Sequence, residues 1–277
     1  MRVTFWGVRG CIPTPDEENA RYGGNTLCVG VQGPEGTLVA LDAGMGLRWM
    51  SDSLPPGPVE LHLLLTHCHW DHIQGIPFSP CMYSPGNRVH IYGRRPSAAG
   101  LKETLLRLMD PAYCPVPNFF LLKKVGADVE FHEIEEPDFQ VGGIRVKSLP
   151  LPRGRRGSPS SGYRLECRGK VLAYLSDVEY PPGETGEPAC PQALELARGA
   201  DLLIHDASCL PEESGCPGGH SNYRQAAALA RQAQVRRLAL YHHAPGRTDE
   251  QLDELARRCQ ALSPPTFVAR EGLELEL

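Results

Sequence analysis

The segment Thr66–His72 holds three histidines and one carboxylate. It directly follows the apolar run Val59–Leu65, which is typical of a buried strand. Imidazole together with carboxylate suits zinc, iron or manganese, and the histidines argue against a site built for magnesium or calcium. The spacing places two side chains on one side of an extended segment and two more where the chain turns, which predicts two neighbouring metal positions. The candidate ligands are His67, His69, Asp71 and His72.

The same segment matches the HxHxDH signature of the metallo-β-lactamase fold superfamily. Further segments resemble, in order, the later motifs of its ribonuclease Z-like phosphodiesterase branch. They are Leu41–Gly44, Leu175–Asp177, His205–Ser208, Gly218–Ser221 and Leu238–His242. Phe5–Gly10 and Arg21–Thr26 resemble one subgroup of that branch. The resemblance implies an α/β fold, an αβ/βα sandwich of two mixed β-sheets flanked by helices, formed as a single domain over residues 1–277.

The resemblance also implies a set of metal ligands. His67 and His69 would hold the first ion, Asp71, His72 and a late histidine would hold the second, and Asp177 would bridge them. One or two zinc ions are expected, with manganese or iron as alternatives. The late histidine is His242 or His243. Strand alternation from Leu238 and Leu240 favours His242, as does the family's strand-then-histidine pattern.

One ligand of the family is missing. Relatives carry a histidine before a Pro-Gly-Gly, a few residues upstream of a segment like Gly162–Arg164, but here Leu151 takes the matching position. The first position would then be weak, or the enzyme would use a single ion, or the chain would be a non-catalytic metal-binding or nucleotide-binding relative. Three arginines follow closely, at Arg153, Arg155 and Arg156. They form either an exposed basic loop or a substrate-binding group that presents positive charge to a phosphate.

A general acid is indicated by His220, which matches the histidine that protonates the leaving oxygen in the ribonuclease Z-like branch. Phosphodiester cleavage needs such a group because an alkoxide leaves poorly. Asp206 matches the acidic residue that orients this histidine, and Asp71 completes the predicted catalytic group. The alternative for His220 is an ordinary position at a helix N-terminus. His205 is expected to be buried and hydrogen-bonded rather than a ligand.

Alternating and helical patterns predict the elements that position these residues. The predicted strands are Arg2–Phe5, Leu27–Gln32, Thr37–Asp42, Glu60–Leu65, Arg88–Tyr92, Ile144–Ser148, Gly162–Glu166, Val171–Leu175, Leu202–His205 and Leu238–Tyr241. The predicted helices are Ala98–Met109, Asn222–Gln234 and Gln251–Leu262, the last capped by Thr248 or Asp249. The stretch from Phe78 to Pro137 reads as an excursion from the main fold.

Bulk properties limit the partners. The chain has 277 residues, 41% of them hydrophobic and 22% charged, with a formal net charge of −5 that argues against a globally basic nucleic-acid binder. No apolar stretch approaches the roughly 20 residues of a membrane span, so no membrane partner is expected. The ten cysteines are scattered, which favours free thiols and a cytoplasmic location. A homodimer is possible.

Together these observations predict a metal-dependent hydrolase, specifically a phosphodiesterase that cleaves a cyclic or small phosphodiester or RNA with metal-activated water. Two alternatives remain. One is another hydrolase of the superfamily, acting on a thioester, lactone or lactam, although the Gly-His-Ser segment around His220 favours phosphodiester chemistry. The other is the non-catalytic relative that Leu151 suggests.

Overall fold

The computed structural model describes residues 1–112, 114–115, 126–153, 160–180, 190–213 and 219–277. Its first sheet has seven strands in the order β14-β1-β2-β3-β4-β5-β6. These strands are Arg2–Gly7 (β1), Cys28–Gln32 (β2), Leu38–Leu41 (β3), Glu60–Leu64 (β4), Arg88–Gly93 (β5), Asp128–Glu133 (β6) and Glu274–Glu276 (β14). Strands β3 to β6 run parallel, and the remaining pairs are antiparallel.

The second sheet also has seven strands, in the order β13-β12-β11-β10-β9-β8-β7. They are Asp138–Val141 (β7), Ile144–Leu151 (β8), Ser160–Cys167 (β9), Lys170–Leu175 (β10), Leu202–Asp206 (β11), Leu238–Tyr241 (β12) and Thr266–Val268 (β13). Strands β10 to β13 are parallel, so their carboxyl ends meet at one edge of the sheet.

The two sheets and the helices on their outer faces form four layers, and apolar side chains pack between them. One cluster, with Phe5 and Leu64 from the first sheet and Leu165 and Ile204 from the second, fills the space between the sheets. Two further clusters lie on the outer faces, beneath helices. These helices are Gly46–Asp52 and Gly100–Leu108 on the first sheet, and Pro191–Ala197, Tyr223–Gln232 and Asp249–Cys259 on the second. The predicted αβ/βα sandwich is therefore confirmed.

Two helices begin with reciprocal capping boxes, of which only the cap of the second was predicted from the sequence. Asn222 accepts hydrogen bonds from backbone amides of the first turn, and the side chain of Gln225 reaches back to the Asn222 amide. Thr248 and Gln251 repeat this arrangement, so Thr248 rather than Asp249 is the cap. Each box satisfies amides that a helix start would otherwise leave without partners.

The predicted excursion is wrong. Between Phe78 and Pro137 lie β5 and β6, which extend the parallel part of the first sheet, and the helix Gly100–Leu108, which packs on it. Strand β6 was missed because its sequence, Asp128–Glu133, alternates charged residues with few apolar ones. The pattern reflects a strand at the sheet edge, exposed on one face.

Three tyrosines of the second sheet bind polar groups of the first across the core. Tyr163 donates to the carbonyl of Leu65 at 2.6 Å, and Tyr241 donates to the carbonyl of Gly7 at 2.6 Å. Tyr174 donates to Asp42 Oδ2 at 2.8 Å. All three are buried, where an unpaired hydroxyl would be costly, so these bonds hold the two sheets in one relative position.

The helices of the described residues include none long and apolar enough to cross a membrane. Among the nine cysteines that the structure describes, eight are free thiols and Cys209 is disulfide-bonded, so the expectation that every cysteine is free is wrong at that position.

Candidate metal centre

The predicted ligands come together at the edge where the parallel strands of both sheets end. The segment after β4 brings His67 through His72 from the first sheet. The second sheet contributes the residues that follow β10 and β12, Asp177 and His242. Each sheet therefore supplies part of the cluster, and the inter-sheet hydrogen bonds of the tyrosines fix the distance between the parts.

Backbone geometry at this edge is unusual. Asp42, Asp177 and His242 adopt positive φ angles of 60°, 43° and 60° within two residues of the ends of their strands. Such a conformation costs a non-glycine residue on the order of 1–3 kcal/mol. It turns the chain sharply at the strand end, so that these three polar side chains meet near the strand ends.

The candidate second metal position comprises Asp71, His72, Asp177 and His242. His72 Nε2 lies 3.2 Å from Asp177 Oδ1 and 3.5 Å from Asp71 Oδ2. His242 Nε2 lies 2.9 Å and 3.4 Å from the same two oxygens. All four side chains are buried. Four ligand atoms of mixed nitrogen and oxygen type within this separation can surround one transition metal ion.

Two observations show that these residues fit a cation. The Nε2 atoms of His72 and His242 are buried and have no hydrogen-bond partner among the residues that the structure describes, although both face carboxylates. Burial alone would raise the pKa of Asp71, but the adjacent His72 and His242 hold that pKa well below its ordinary value. Burial would lower the pKa values of both histidines, but the carboxylates, Asp177 among them, raise them well above the usual range. The cluster therefore stabilises positive charge, which a bound metal ion would supply.

Asp42 orients the His72 ring through Nδ1, the nitrogen that faces away from the other candidate ligands. Its Oδ2 lies 2.8 Å from His72 Nδ1, and its Oδ1 accepts a hydrogen bond from the Thr66 amide at 2.8 Å. With Nδ1 held in this way, Nε2 of His72 is left to face the ligand cluster. The Leu41–Gly44 motif thus supplies a partner that fixes the ring orientation and makes the imidazole a better ligand.

The first metal position consists of His67, His69 and the shared Asp177, whose ligand atoms lie close together. His67 Nε2 is 3.5 Å from Asp177 Oδ2. The guanidinium of Arg153 also lies here, with Nη2 2.7 Å from His69 Nε2 and Nε 3.4 Å from Asp177 Oδ2. The Arg153 side chain is only 9% exposed. This set is therefore short of ligands and already contains a cation.

Leu151 does not face the site, contrary to the alignment with the missing histidine. It is 1% exposed and belongs to the core between the second sheet and its helices. A Cβ built on Gly162 would meet Leu151, Leu175 and Leu196 together, which places the leucine on the helix side of the sheet. The side chain that reaches the first metal position comes two residues later, from Arg153.

His220 stands beside the second position and is backed by Asp206. His220 Nδ1 lies 3.0 Å from Asp206 Oδ2, and the His220 and His242 ring centroids are 4.6 Å apart. Asp206 is fully buried and also accepts from the amides of Ser208 and Ser221. With Nδ1 bound to the carboxylate, Nε2 of His220 is the nitrogen left to exchange a proton with a bound molecule.

The remaining histidines lie apart from this cluster. His243 is buried with Nε2 donating to the carbonyl of Ala269 at 2.8 Å, so the structure brings His242 rather than His243 to the ligands. His205 is fully buried and bonded to Tyr180 at 2.7 Å, as expected. His62, His90 and His132 contact one another on β4, β5 and β6. Arg155, Arg156 and Gly218 lie outside the described residues.

Sequence reasoning missed the contribution of the N-terminal loop. The Cys11 amide donates to Asp71 Oδ2 at 2.7 Å, on the ligand carboxylate itself. The His242 ring packs directly on Gly10, where a Cβ would come within 2.1 Å of Cε1. The Phe5–Gly10 motif was noted only as a resemblance, because no pattern in it indicates a contact with residues 60 and 232 positions away.

An arginine-lined cavity opens beside the first position. Its volume is about 340 Å³, and His67 and His69 form part of its wall. Arg94, Arg95 and Arg153 line it as well. Arg94 and Arg95 directly follow β5, so the rule that ligands collect at the carboxyl ends of parallel strands would have found them. Arg95 is paired with Glu133 at 2.8 Å, so Arg94 and Arg153 are the guanidinium groups that favour an anionic ligand.

Comparison with known proteins gives the family. A domain model described as the beta-lactamase superfamily domain matches residues 37–243, which spans the candidate ligands from both sheets. The chain belongs to the beta-lactamase superfamily. Ribonuclease BN of Escherichia coli O1:K1 / APEC, one of its relatives, is 26% identical to this chain over 98% of both sequences.

Two solved structures share the fold of this chain over its whole length. A diphosphatase from the PhnP family has a TM-score of 0.68 and 22% identity, covering 100% of this chain and 97% of that one. The zinc-bound PqqB of Methylobacterium extorquens has a TM-score of 0.69 and 17% identity, covering 100% of both chains. At these identities the likeness shows the fold that this superfamily member shares with both proteins.

Proposed function

We propose that this protein is a metal-dependent phosphodiesterase that acts on a small or cyclic phosphodiester. The observation that carries the proposal is the cavity lined by Arg94, Arg95 and Arg153, which opens directly beside the metal-ligand cluster. Guanidinium groups bind phosphate oxygens in pairs, whereas a neutral lactam, lactone or thioester gives them no charge to neutralise. One relative is named a ribonuclease and one structural neighbour a diphosphatase, and both names indicate hydrolysis at phosphorus.

The second metal position would hold the ion through Asp71, His72, Asp177 and His242. When bound, a zinc, manganese or iron ion would supply Lewis acidity that activates water near neutral pH. The arginines would bind and orient the non-bridging phosphate oxygens. Oriented binding of this kind lowers the barrier because it replaces an encounter between separate molecules.

His220 would complete the reaction as the general acid. Its Nδ1 is held 3.0 Å from buried Asp206, which fixes the orientation of the ring. A proton on Nε2 can then pass to the oxygen that leaves the phosphorus. Such a transfer is typically worth about 10²–10⁴-fold in rate, and it matters most for alkoxide leaving groups.

The cavity size favours a small substrate over a polymer. A volume of about 340 Å³ is at the low end of the range for small-molecule sites. The net charge of −5 also gives no overall attraction for a nucleic-acid backbone. RNA is therefore the second candidate substrate, supported by the ribonuclease relatives.

The test is hydrolysis of bis(p-nitrophenyl) phosphate, cyclic nucleotides, single-stranded RNA, a thioester and a lactam by metal-loaded protein. We expect turnover of the phosphodiesters, loss of that turnover with chelator, and loss of it in Asp71→Ala. The Asp201→Asn variant serves as a control because Asp201 lies at the start of β11, at the opposite end of the strands. Hydrolysis of the thioester or lactam alone would disprove phosphodiesterase function, and full activity in Asp71→Ala would disprove the metal centre.

A further inference from the structure

We propose that the Arg153 guanidinium takes the place of the first metal ion, so that this enzyme works with one ion at the second position. The inference deepens the proposed function and rests on it in one respect, since the second position must bind a metal. It concerns the first position, where the residues do not fit a second ion.

Arg153 lies where the first ion would bind. Its Nη2 lies within 2.7 Å of both ring nitrogens of His69, and its Nε lies 3.4 Å from Asp177 Oδ2. These are the atoms that would bind the first ion. An arginine guanidinium is a permanent cation in proteins. A divalent cation and this group cannot share the space, because their charges repel and their volumes overlap.

Arg153 and its partner Asp177 are both largely buried. The Arg153 side chain is 9% exposed, and Asp177, which it pairs with, is 3% exposed. A charge that far from water is stable only when it is paired and hydrogen-bonded. Arg153 is therefore held in the site by the Asp177 carboxylate, and it neutralises charge on Asp177 that an ion would otherwise neutralise.

The first position also has few side chains that could bind an ion. In the parts of the chain that the structure describes, the group at the first position offers only His67, His69 and the shared Asp177. The residue aligned with the missing histidine, Leu151, packs in the core instead. A histidine in place of Leu151 would therefore lie among apolar side chains, whereas the side chain at position 153 already reaches the ligand atoms.

The consequence is a site with a fixed cation that cannot be removed by chelation. Arg153 also lines the cavity with Arg94 and Arg95, so its remaining N–H groups can bind a phosphate oxygen there. A planar guanidinium offers paired donors to phosphate, in contrast to the single attractive point of an ion. The enzyme would lose activity with chelator in one transition, as its only ion leaves the second position.

Counting zinc tests the proposal directly. Wild type, Arg153→His and Arg145→His are dialysed against zinc, and bound zinc per chain is measured by mass spectrometry. Arg145 is an exposed residue of β8 that pairs with Asp138, which makes Arg145→His a matched control. We expect one zinc in wild type and control, and two in Arg153→His, since histidine removes the cation and adds a ligand. Cobalt-loaded Arg153→His should show added visible absorption from the second ion.

A further variant guards against a folding defect. Arg153→Ala removes the cation without adding a ligand, so it should bind a second zinc at raised zinc concentration, where wild type stays at one. Thermal unfolding checks that each variant is folded. Two zinc ions in wild type, or one in both Arg153 variants, would overturn the role of Arg153 and leave the phosphodiesterase proposal standing. No zinc in any of the proteins would remove the metal centre and both proposals with it.

Discussion

Asp42 Oδ2 lies 2.8 Å from His72 Nδ1, and both side chains are completely buried. The same carboxylate accepts hydrogen bonds from Thr66 and, across the core, from the hydroxyl of Tyr174. Asp42 therefore couples a metal ligand of the first sheet to a tyrosine of the second. The orientation of His72 depends on how the two sheets pack.

We expect Asp42→Asn to weaken metal binding by about 10–100-fold, the usual effect of removing the carboxylate behind a ligating histidine. An asparagine replaces one acceptor oxygen with an NH₂ group, which would oppose the Tyr174 hydroxyl or the His72 N–H. Metal affinity is measured by competition with a chelator. Asp201→Asn should leave the affinity unchanged. Equal affinities for wild type and Asp42→Asn would show that Asp42 does not orient the ligand.

His220→Ala should reduce turnover by about 100-fold or more without changing metal content, because His220 would protonate the leaving oxygen. The loss should be small for p-nitrophenolate, which leaves without a proton, and large for an alkyl ester. His132→Ala, at a partly exposed histidine on β6, is the control. An equal loss on every leaving group, or a loss of metal, would argue that His220 is a ligand instead.

Gly10→Ala should disrupt the second metal position from outside the ligand set. A Cβ at residue 10 would lie 2.1 Å from His242 Cε1, and the His242 ring must move to avoid it. A displacement that costs only about 1.4 kcal/mol of binding energy lowers metal affinity tenfold. Gly246→Ala is the matched control because a Cβ there meets open space. A Gly10→Ala protein with wild-type metal affinity would show that the His242 ring has room to shift.

Acid should destabilise the protein partly through His243. Burial lowers the pKa of His243 to about 3, whereas an unfolded chain has an ordinary histidine pKa of about 6.5. Between these values the unfolded state binds a proton that the folded state does not. The free energy of unfolding therefore falls as pH drops through this window, by up to about 1.4 kcal/mol per pH unit for one such group.

The measurement is urea unfolding of wild type and His243→Gln between pH 7 and pH 4, both with chelator. Glutamine can still donate to the Ala269 carbonyl but does not titrate in this range. Wild type should lose stability more steeply than the variant as the pH falls. Parallel curves would mean that His243 takes up its proton in the folded state.

Much of this protein could be predicted from local patterns. The buried strands that end at Leu64, Leu175 and Tyr241 are apolar runs followed by polar residues, and the HxHxDH segment fixes the ligand types. Capping at Thr248 and Asn222 is likewise a local signal. These features are readable because each depends on residues within a few positions of one another.

The short edge strands were not predictable in this way. Residues 274–276 and 266–268 form β14 and β13, each of three residues, too short to show a period. They become strands because a neighbouring strand offers unpaired backbone groups, and that neighbour is distant in sequence.

The sequence by itself determined the kind of chemistry, since the histidines, carboxylates and their spacing are local. Only the tertiary structure decided the details of the site. It turned Leu151 into the core and Arg153 toward His69, and it placed Gly10 against His242 and Arg94 beside the ligands. A strand that ends one residue earlier, or a loop that turns differently, exchanges which side chain reaches the site. The direction of such a side chain follows from how strands far apart in the chain pack together.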